Sequence, residues 1–583
     1  LTFDRKGTFG LDKDALKKIA YQEVTMKKRT AAALAALVLV LAAGAAPAKG
    51  ELTPTGTFPI LKQKLDMRFL TAQTIFIENW NTNRLSKYME DKTNIHVKWE
   101  TIPEDAVKEK LNLLLASGNY PDVIFGLGGR FGIDASTELK YGAEENVFLP
   151  LNDMIDNYMP NFKKVLEEYP TLRGYITSSD GNIYSLPLIE ETYHVTMSSK
   201  LWVYKPWLDK LNIKMPQTTD EFYNMLIAFR DKDPNGNGKK DEIPLAGAIQ
   251  GWRSCPTTFL LNSFIYTNLE PNLDEPVDSS LGFYMDGKKV KTILNTPEYR
   301  DGLRYLNKLY KEGLMNEGVF TMNAETQLTQ LVENPSAPIV GVVAGGWGGV
   351  YSKVGGERYR NFVALPPLKG PKGVRETRYY PPDPSIGNFV ITKNCPNPTA
   401  AVRWADFFYT REGTLMLRHG FENEGWRYAQ KGEVGLDGNP AIWKPLKPWN
   451  DKEPQNDCWV RVGVYLQDKA FRLGEVVPPD LDPDGPEGVE KRLYDATKKY
   501  YEPYVHPEKQ IPSPLRFLSS EQEQMATLTT EFARYARQSM VKFVVGAMDL
   551  DKDWNAYIAN LDKLGLQKIL DMNQKAYTRQ YGK

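Results

Sequence analysis

The chain has only three cysteines in 583 residues, Cys255, Cys395 and Cys458. None stands in a C-x-x-C or comparable ligand spacing, which speaks against a zinc centre. At most one disulfide could form, and the expectation is three small buried core residues. Histidine is equally scarce, at four: His96, His194, His419 and His506. No H-E-x-x-H, nucleophile elbow or phosphate loop is present, so metalloprotease, serine-esterase and nucleotide chemistry have no foothold. A polysaccharide hydrolase or lyase needs only a carboxylate pair at fixed spacing. With 73 Asp and Glu residues that alternative stays open.

Net charge is also lacking. Lys+Arg and Asp+Glu both number 73. No basic field exists to hold nucleic acid. Residues 1–48 carry eight Lys/Arg and four Asp/Glu, so their removal leaves a mildly acidic 65 against 69. There is no internal repeat and no long low-complexity segment.

One strongly apolar run exists, at about 31–43, and it is shorter than the ~20 residues a membrane-crossing helix needs. It follows the basic Met26-Lys27-Lys28-Arg29 and precedes Ala46-Pro47-Ala48, a small-x-small cleavage pattern. Residues 26–48 therefore read as a secretory signal peptide. Residues 1–25 are expected to be untranslated leader, because Gln22-Glu23-Val24 can be encoded by a ribosome-binding sequence just upstream of Met26. N-terminal sequencing of a native precursor checks this. No Cys lies near the cleavage region, so the expected product is free in the periplasm or secreted.

What remains is too long for one core, and two lobes are expected. Residues 65–70, 95–102 and 123–125 read as strands, with helices over 83–92 and 106–117 between them. This β-α-β-α-β order predicts a mostly parallel sheet flanked by helices, with ligands beyond the carboxyl ends of its strands. Extended stretches at 192–200 and 361–367 are predicted to carry the chain between lobes. That assigns 49–190 plus about 362–395 to an N-terminal lobe. The C-terminal lobe and helical tail take 191–361 plus about 396–583. A capping box at Ser520-Glu521-Gln522-Glu523 opens a long tail helix.

The most specific chemical motif runs from Asp233 to Glu242. Oxygen side chains fall at Asp233, Asn235 and Asn237, a spacing that lets a tight loop turn all three toward one centre. Gly238 takes the sharp-turn position and Lys239 can offer its backbone carbonyl. Asp241 and Glu242 would complete an oxygen-rich shell suited to structural Ca²⁺. The loop departs from an EF-hand in having Pro244 at the twelfth position. No Met-rich helix pair flanks it, so it reads as a staple rather than a sensor.

The runs at 202–211, 216–222 and 231–244, together with Gly546-Ala547-Met548-Asp549-Leu550 and Trp554-Asn555-Ala556-Tyr557, resemble bacterial extracellular solute-binding proteins of the family-1 type. The likeness is to the subgroup containing alginate-oligosaccharide-binding periplasmic proteins, and it spans the mature chain. Lys205-Pro206-Trp207 departs from the Arg-x-Asp-Trp run usual there. The resemblance implies a type II-like two-lobed periplasmic-binding-protein fold and a structural Ca²⁺ on the ligands named above. It implies capture of a carbohydrate for an ABC importer, no enzymatic activity, ABC permease subunits as partners, and a monomer. A peptide or other non-sugar solute is the alternative cargo.

A sugar site requires aromatic platforms beside Asn, Glu and Arg partners. Trp80 stands between Asn79 and Asn81, just beyond the first strand. Trp347 stands in Gly345-Gly346-Trp347-Gly348-Gly349, where the glycines would let a ligand approach the backbone. Trp426 follows Glu422, Asn423 and Glu424 and precedes Arg427, in a loop resembling the family's cleft-facing Glu/Gly/aromatic loop, with Asn423 or Glu424 inserted. Arg130, Glu191 and Tyr193 complete the candidates. Trp99, Trp404 and Trp554 lie on regular elements and are expected in the core.

Overall fold

The computed structural model describes residues 50–271, 281–382, 384–447, 453–513 and 515–582. The leader and signal-peptide expectations lie outside the described residues. Among the described residues no helix is long and apolar enough to cross a membrane.

In strand β1 (Leu65–Gln73) Met67 and Phe69 bury into one cluster while Leu70 and Ala72 bury into another. A central strand covered on both faces requires this double apolar pattern. The strands that follow are β2 (Ile95–Pro103), β3 (Val123–Phe125), β4 (Leu186–Glu190), β5 (Leu201–Tyr204) and β6 (Ile243–Ala246). A hairpin, β7 (Phe283–Asp286) with β8 (Lys289–Thr292), precedes β9 (Val340–Ala344), β10 (Phe362–Ala364) and β11 (Ser385–Ile391). A second hairpin, β12 (Trp426–Tyr428) with β13 (Trp443–Pro445), precedes β14 (Leu466–Gln467).

Two sheets organise the molecule. The first has the order β14-β4-β11-β3-β1-β2 and the second β10-β5-β9-β6. One strand in each runs against the rest: β11 in the first and β5 in the second. Both are the strand by which the chain arrives from the other sheet. Leaving the carboxyl end of β4, it reaches β5 through residues 191–200. Leaving β10, it reaches β11 through residues 365–384. A short crossing between facing edges forces the arriving strand to point away from the edge it enters. The carboxyl edges of the two sheets therefore face each other.

The lobe boundaries differ from the sequence expectation in two places. β10 pairs with β5, so residues 362–364 belong to the second sheet. Residues 398–471 pack with the first sheet, not the second. The helix Pro398–Asp406 buries Ala400, Ala401, Val402, Trp404 and Ala405 in the core that contains Phe69 and Phe125, and β14 pairs with β4. Only from Leu493 onward do buried side chains rejoin the second core, so a third crossing occupies residues 468–488. Alternating apolar residues do not state which of two sheets they cover, and this is where the sequence reading ran out. The tail helix Ser519–Val545 starts two residues earlier than expected, and Glu521 rather than Glu523 accepts from the N–H of the cap residue, Leu518, at 2.9 Å.

A buried contact between Arg516 and Glu138 also joins the bodies. Arg516, anchored to the final helix Leu566–Tyr581 by the Arg579 guanidinium on its carbonyl (2.9 Å), lies 3.6 Å from Glu138 of the first body and donates to the Tyr175 carbonyl at 2.7 Å. Burial pushes the Glu138 carboxyl up to about 7, against the opposing pull of Arg516 and the Ser185 hydroxyl. The folded chain thus holds a proton that the unfolded chain, with a carboxyl near 4.5, has released. This contribution to stability is full below pH 4.5 and is lost as pH rises through 7. In melting series between pH 5 and 8, Glu138→Gln is expected to lose stability with rising pH less steeply than the parent.

Candidate functional site

The acidic loop follows the helix Thr219–Asp231, which opens on a capping box. The Glu221 N–H donates to Thr218 Oγ1 at 3.1 Å, and the Thr218 N–H donates to the Glu221 carboxylate at 3.2 Å. Left-handed residues Asp233, Gly236 and Gly238 then coil the chain. The Asp233 carboxylate accepts from the N–H groups of Gly236 (2.9 Å), Asn237 (3.1 Å) and Gly238 (3.1 Å). Asn235 and Asn237 both direct Nδ2 at Asp241, each at 3.1 Å. Among the described residues no three His, Cys, Asp or Glu side chains form a ready metal shell. The loop's oxygens come instead from a mixture of acids, amides and backbone.

Glu242 supplies the test of fit. Its Oε1 is buried and has no hydrogen-bond partner. Burial, followed by the fields of Asp241 and Asp233, raises its carboxyl above the usual range. Carboxylates crowded without a cation are what a divalent ion would relieve. The Asn235 and Asn237 Oδ1 atoms accept from the Asn237 and Lys239 N–H groups at 2.9 and 2.7 Å, which holds both amides within the loop. The residues present fit a hard cation. The next strand, β6, starts at Ile243, so the loop fixes where that strand begins.

At the carboxyl edge of the second sheet, β6 leads to Trp252 and Arg253, and β9 leads to Trp347. Both tryptophans are half-buried. The glycines around Trp347 have a different purpose from the one expected. A Cβ on Gly346 would meet the Trp252 ring at 2.3 Å, one on Gly348 the Tyr359 ring at 2.0 Å, and one on Gly349 the Trp347 ring at 2.3 Å. They make room for the protein's own rings. Arg253, at φ 56°, stacks on Tyr380 with its guanidinium carbon 3.8 Å from the ring centroid. Arg378 covers the same ring at 3.8 Å, and the Tyr380 hydroxyl donates to Glu270 at 2.9 Å.

Facing this, the first sheet ends in Phe76 after β1, Gly126 after β3 and Glu190 at the end of β4. Glu190 is deeply set yet leaves 38% of its side chain open. Burial pushes its carboxyl up, but the Arg418 and Arg472 guanidiniums outweigh it and hold it below the usual range. Tyr465 donates to it at 3.2 Å. Arg472 also reaches Glu490 of the second body at 3.5 Å, so charge bridges the crossing.

Several expected site residues lie elsewhere. Trp80 is 1% exposed, its ring tilted against that of Trp99 with centroids 4.6 Å apart, and its indole N–H on the Ala72 carbonyl. Trp426 is fully buried, its N–H on the Gly420 carbonyl at 2.8 Å. Neither has a face to offer a ligand. Asn79 caps a turn through the N–H groups of Asn81 and Thr82, and Asn81 clasps the Trp99 backbone. Glu191 accepts from the Tyr169 hydroxyl and the Lys469 N–H. Tyr193 is buried against Tyr494. Glu424 pairs with Arg84 at 2.9 Å, Arg427 with Glu433 at 2.8 Å, and Glu422 is exposed. Arg130 lies on the 3-10 turn Gly129–Phe131, after β3. The sequence reading missed Trp252, Arg253 and Tyr380. The available signal was Gly251-Trp252-Arg253, a few residues beyond a strand that follows the acidic loop. A cavity of about 610 Å³ elsewhere in the second body, lined in part by Phe264, Arg304, Tyr305 and Lys372, includes none of these residues.

Comparison with known proteins agrees with this architecture. The fructooligosaccharide ABC transporter substrate-binding protein FusA of Streptococcus pneumoniae serotype 4 (strain ATCC BAA-334 / TIGR4) is 27% identical over 535 residues, covering 89% of this chain and 91% of its own. The structure of the S. pneumoniae FusA EF-hand mutant in complex with fructo-nystose superposes with a TM-score of 0.66 at 24% identity, over 89% of this chain and 100% of the other. The alginate-binding protein AlgQ2 without calcium ion gives 0.62 at 22% identity, over 90% and 100%. The family profile described as bacterial extracellular solute-binding protein matches residues 70–415. A profile match over more than half the length, on two sheets whose carboxyl edges face one another, shows that this chain belongs to the bacterial extracellular solute-binding protein family.

Proposed function

We propose that the protein captures an oligosaccharide between the two carboxyl edges and presents it, unaltered, to the membrane subunits of an ABC importer. The observation carrying this reading is the half-buried pair Trp252 and Trp347, set at one edge opposite Glu190 on the other. Aromatic faces cover the C–H faces of a sugar, and charged groups beside them bond its hydroxyls. FusA and AlgQ2 are named for fructooligosaccharide and alginate binding, which supports a saccharide here. Binding draws the bodies together about residues 191–200, 365–384 and 468–488, and the closed form is what a transporter can recognise. Export as a free monomer, outside the cytoplasmic membrane, belongs to the same reading.

The Asp233–Glu242 loop holds a structural Ca²⁺ in this proposal, through Asp233, Asn235, Asn237, the Lys239 carbonyl, Asp241 and Glu242. Bound there, the ion neutralises crowded carboxylates. The chain's own residues fix the start of β6 and hence the platform that follows it.

A thermal-shift screen of oligosaccharides tests the reading, with calorimetry on the hits. A bound sugar is expected to raise the melting temperature and be recovered intact. Trp347→Ala is expected to weaken binding by about 30-fold, the loss of roughly 2 kcal/mol typical of a buried anchor. Release of shorter sugars from a polysaccharide would overturn the proposal.

A further inference from the structure

Loop 459–463 is the most strained segment at the carboxyl edge of the first sheet. Val460 has φ 58°, the left-handed region, where a β-branched residue is a marked outlier. The Arg461 and Val462 N–H groups both donate to the Trp459 carbonyl, at 2.7 and 2.9 Å, closing a tight turn. The turn is pinned from below. A Cβ on Gly463 would meet the Phe125 ring at 2.3 Å, and one on Gly126 would meet Val462 Cγ1 at 2.5 Å. Trp459, Val460 and Val462 are all buried. Arg461 alone is exposed. Local strain of this kind persists only where the surroundings impose it, and it concentrates where a side chain must be aimed.

The aim of Arg461 is fixed by its neighbours. Its guanidinium carbon lies 5.5 Å from the centroid of Phe76, beyond β1. Its loop covers Phe125 at the end of β3. Its charge also reaches Glu190 at the end of β4, where it helps hold that carboxyl down. The guanidinium thus stands by the carboxyl ends of β1 and β4, on a loop packed over the end of β3, on the edge that faces Trp252 and Trp347.

We infer that Arg461 is a specificity-determining residue that donates paired hydrogen bonds to an oxygen edge of the bound sugar, either adjacent hydroxyls or a carboxylate. A guanidinium is a planar fork matched to two neighbouring oxygens, and a strained loop that fixes its position lowers the ordering cost of using it. The inference rests on the reading that the crevice holds an oligosaccharide.

The test is calorimetric titration of the full chain with 1-kestose, lacto-N-tetraose and a mannuronate trisaccharide, for the parent, Arg461→Ala and Arg461→Lys. Arg461→Ala is expected to weaken the bound sugar at least about tenfold, as loss of charge-assisted hydrogen bonds does. The ligand-free melting temperature should fall only slightly, because contacts of an exposed guanidinium contribute little to stability. Partial recovery in Arg461→Lys identifies a carboxylate, for which a point charge suffices. No recovery identifies a hydroxyl pair, which needs the fork. Parent-like affinity in Arg461→Ala would overturn the role of Arg461 and leave the oligosaccharide reading standing. A parent chain that binds none of the three sugars would count against that reading and take the inference with it.

Discussion

Trp404→Ala is expected to destabilise the first body by about 3–5 kcal/mol, the usual cost of emptying a fully buried indole site. Trp404 is 0% exposed. Its ring centroid lies 5.1 Å from Phe69, 5.7 Å from Phe125, 5.2 Å from Phe408 and 5.7 Å from Trp459. These residues come from β1, β3, the adjoining turn Phe407–Tyr409 and loop 459–463, so one side chain ties its own segment to three separated stretches of chain. The indole Nε1 makes no hydrogen bond. The loss is therefore one of packing, and Trp404→Phe is expected to cost much less. Scanning calorimetry should show the unfolding of the first body moving to lower temperature. A loss under about 1 kcal/mol would mean that residues 398–406 do not complete this core.

The second large effect follows from the proposed Ca²⁺ loop, and it is that of calcium removal. An ion that binds only the folded loop stabilises by about 2.7 kcal/mol when present at 100 times its dissociation constant. Chelation should lower the melting transition of the second body by that amount, and added Ca²⁺ should restore it. Asp241→Ala deletes the carboxylate on which Asn235 and Asn237 converge, and should leave a protein whose melting ignores both chelator and Ca²⁺. A parent chain whose melting is already indifferent to calcium would reduce the loop to a polar turn.

The sequence was legible where pattern and chemistry coincide. β1 and β3 were readable as apolar strands of the sheet interior, β2 as an alternating edge strand, and the intervening helix faces repeat at helical spacing. The acidic loop was readable because its spacing is local. Tertiary assignments were not. Trp80 and Trp347 both stand among polar or glycine residues in sequence, yet Trp80 is covered by Trp99 and Trp459 while Trp347 stays half-open. The difference lies in partners about 20 and 380 residues away, which no window around Trp80 contains. Trp252 and Arg461 were missed for the reciprocal reason. Each is placed by contacts from distant segments, Gly346 in one case and Phe76 with Gly126 in the other.

The arrival of β11 and β14 in the first sheet after the whole second sheet has consequences for biogenesis. When β4 has been made, that sheet still lacks two of its six strands. Trp404 and Trp459, which close its aromatic core, follow more than 200 residues later. The second sheet, although contiguous from 201 to 364, waits for the helices beyond 489 to cover it. Neither half can mature before most of the polypeptide is available. A chain built this way stays loose during synthesis and gains its shape only once nearly all of it has emerged.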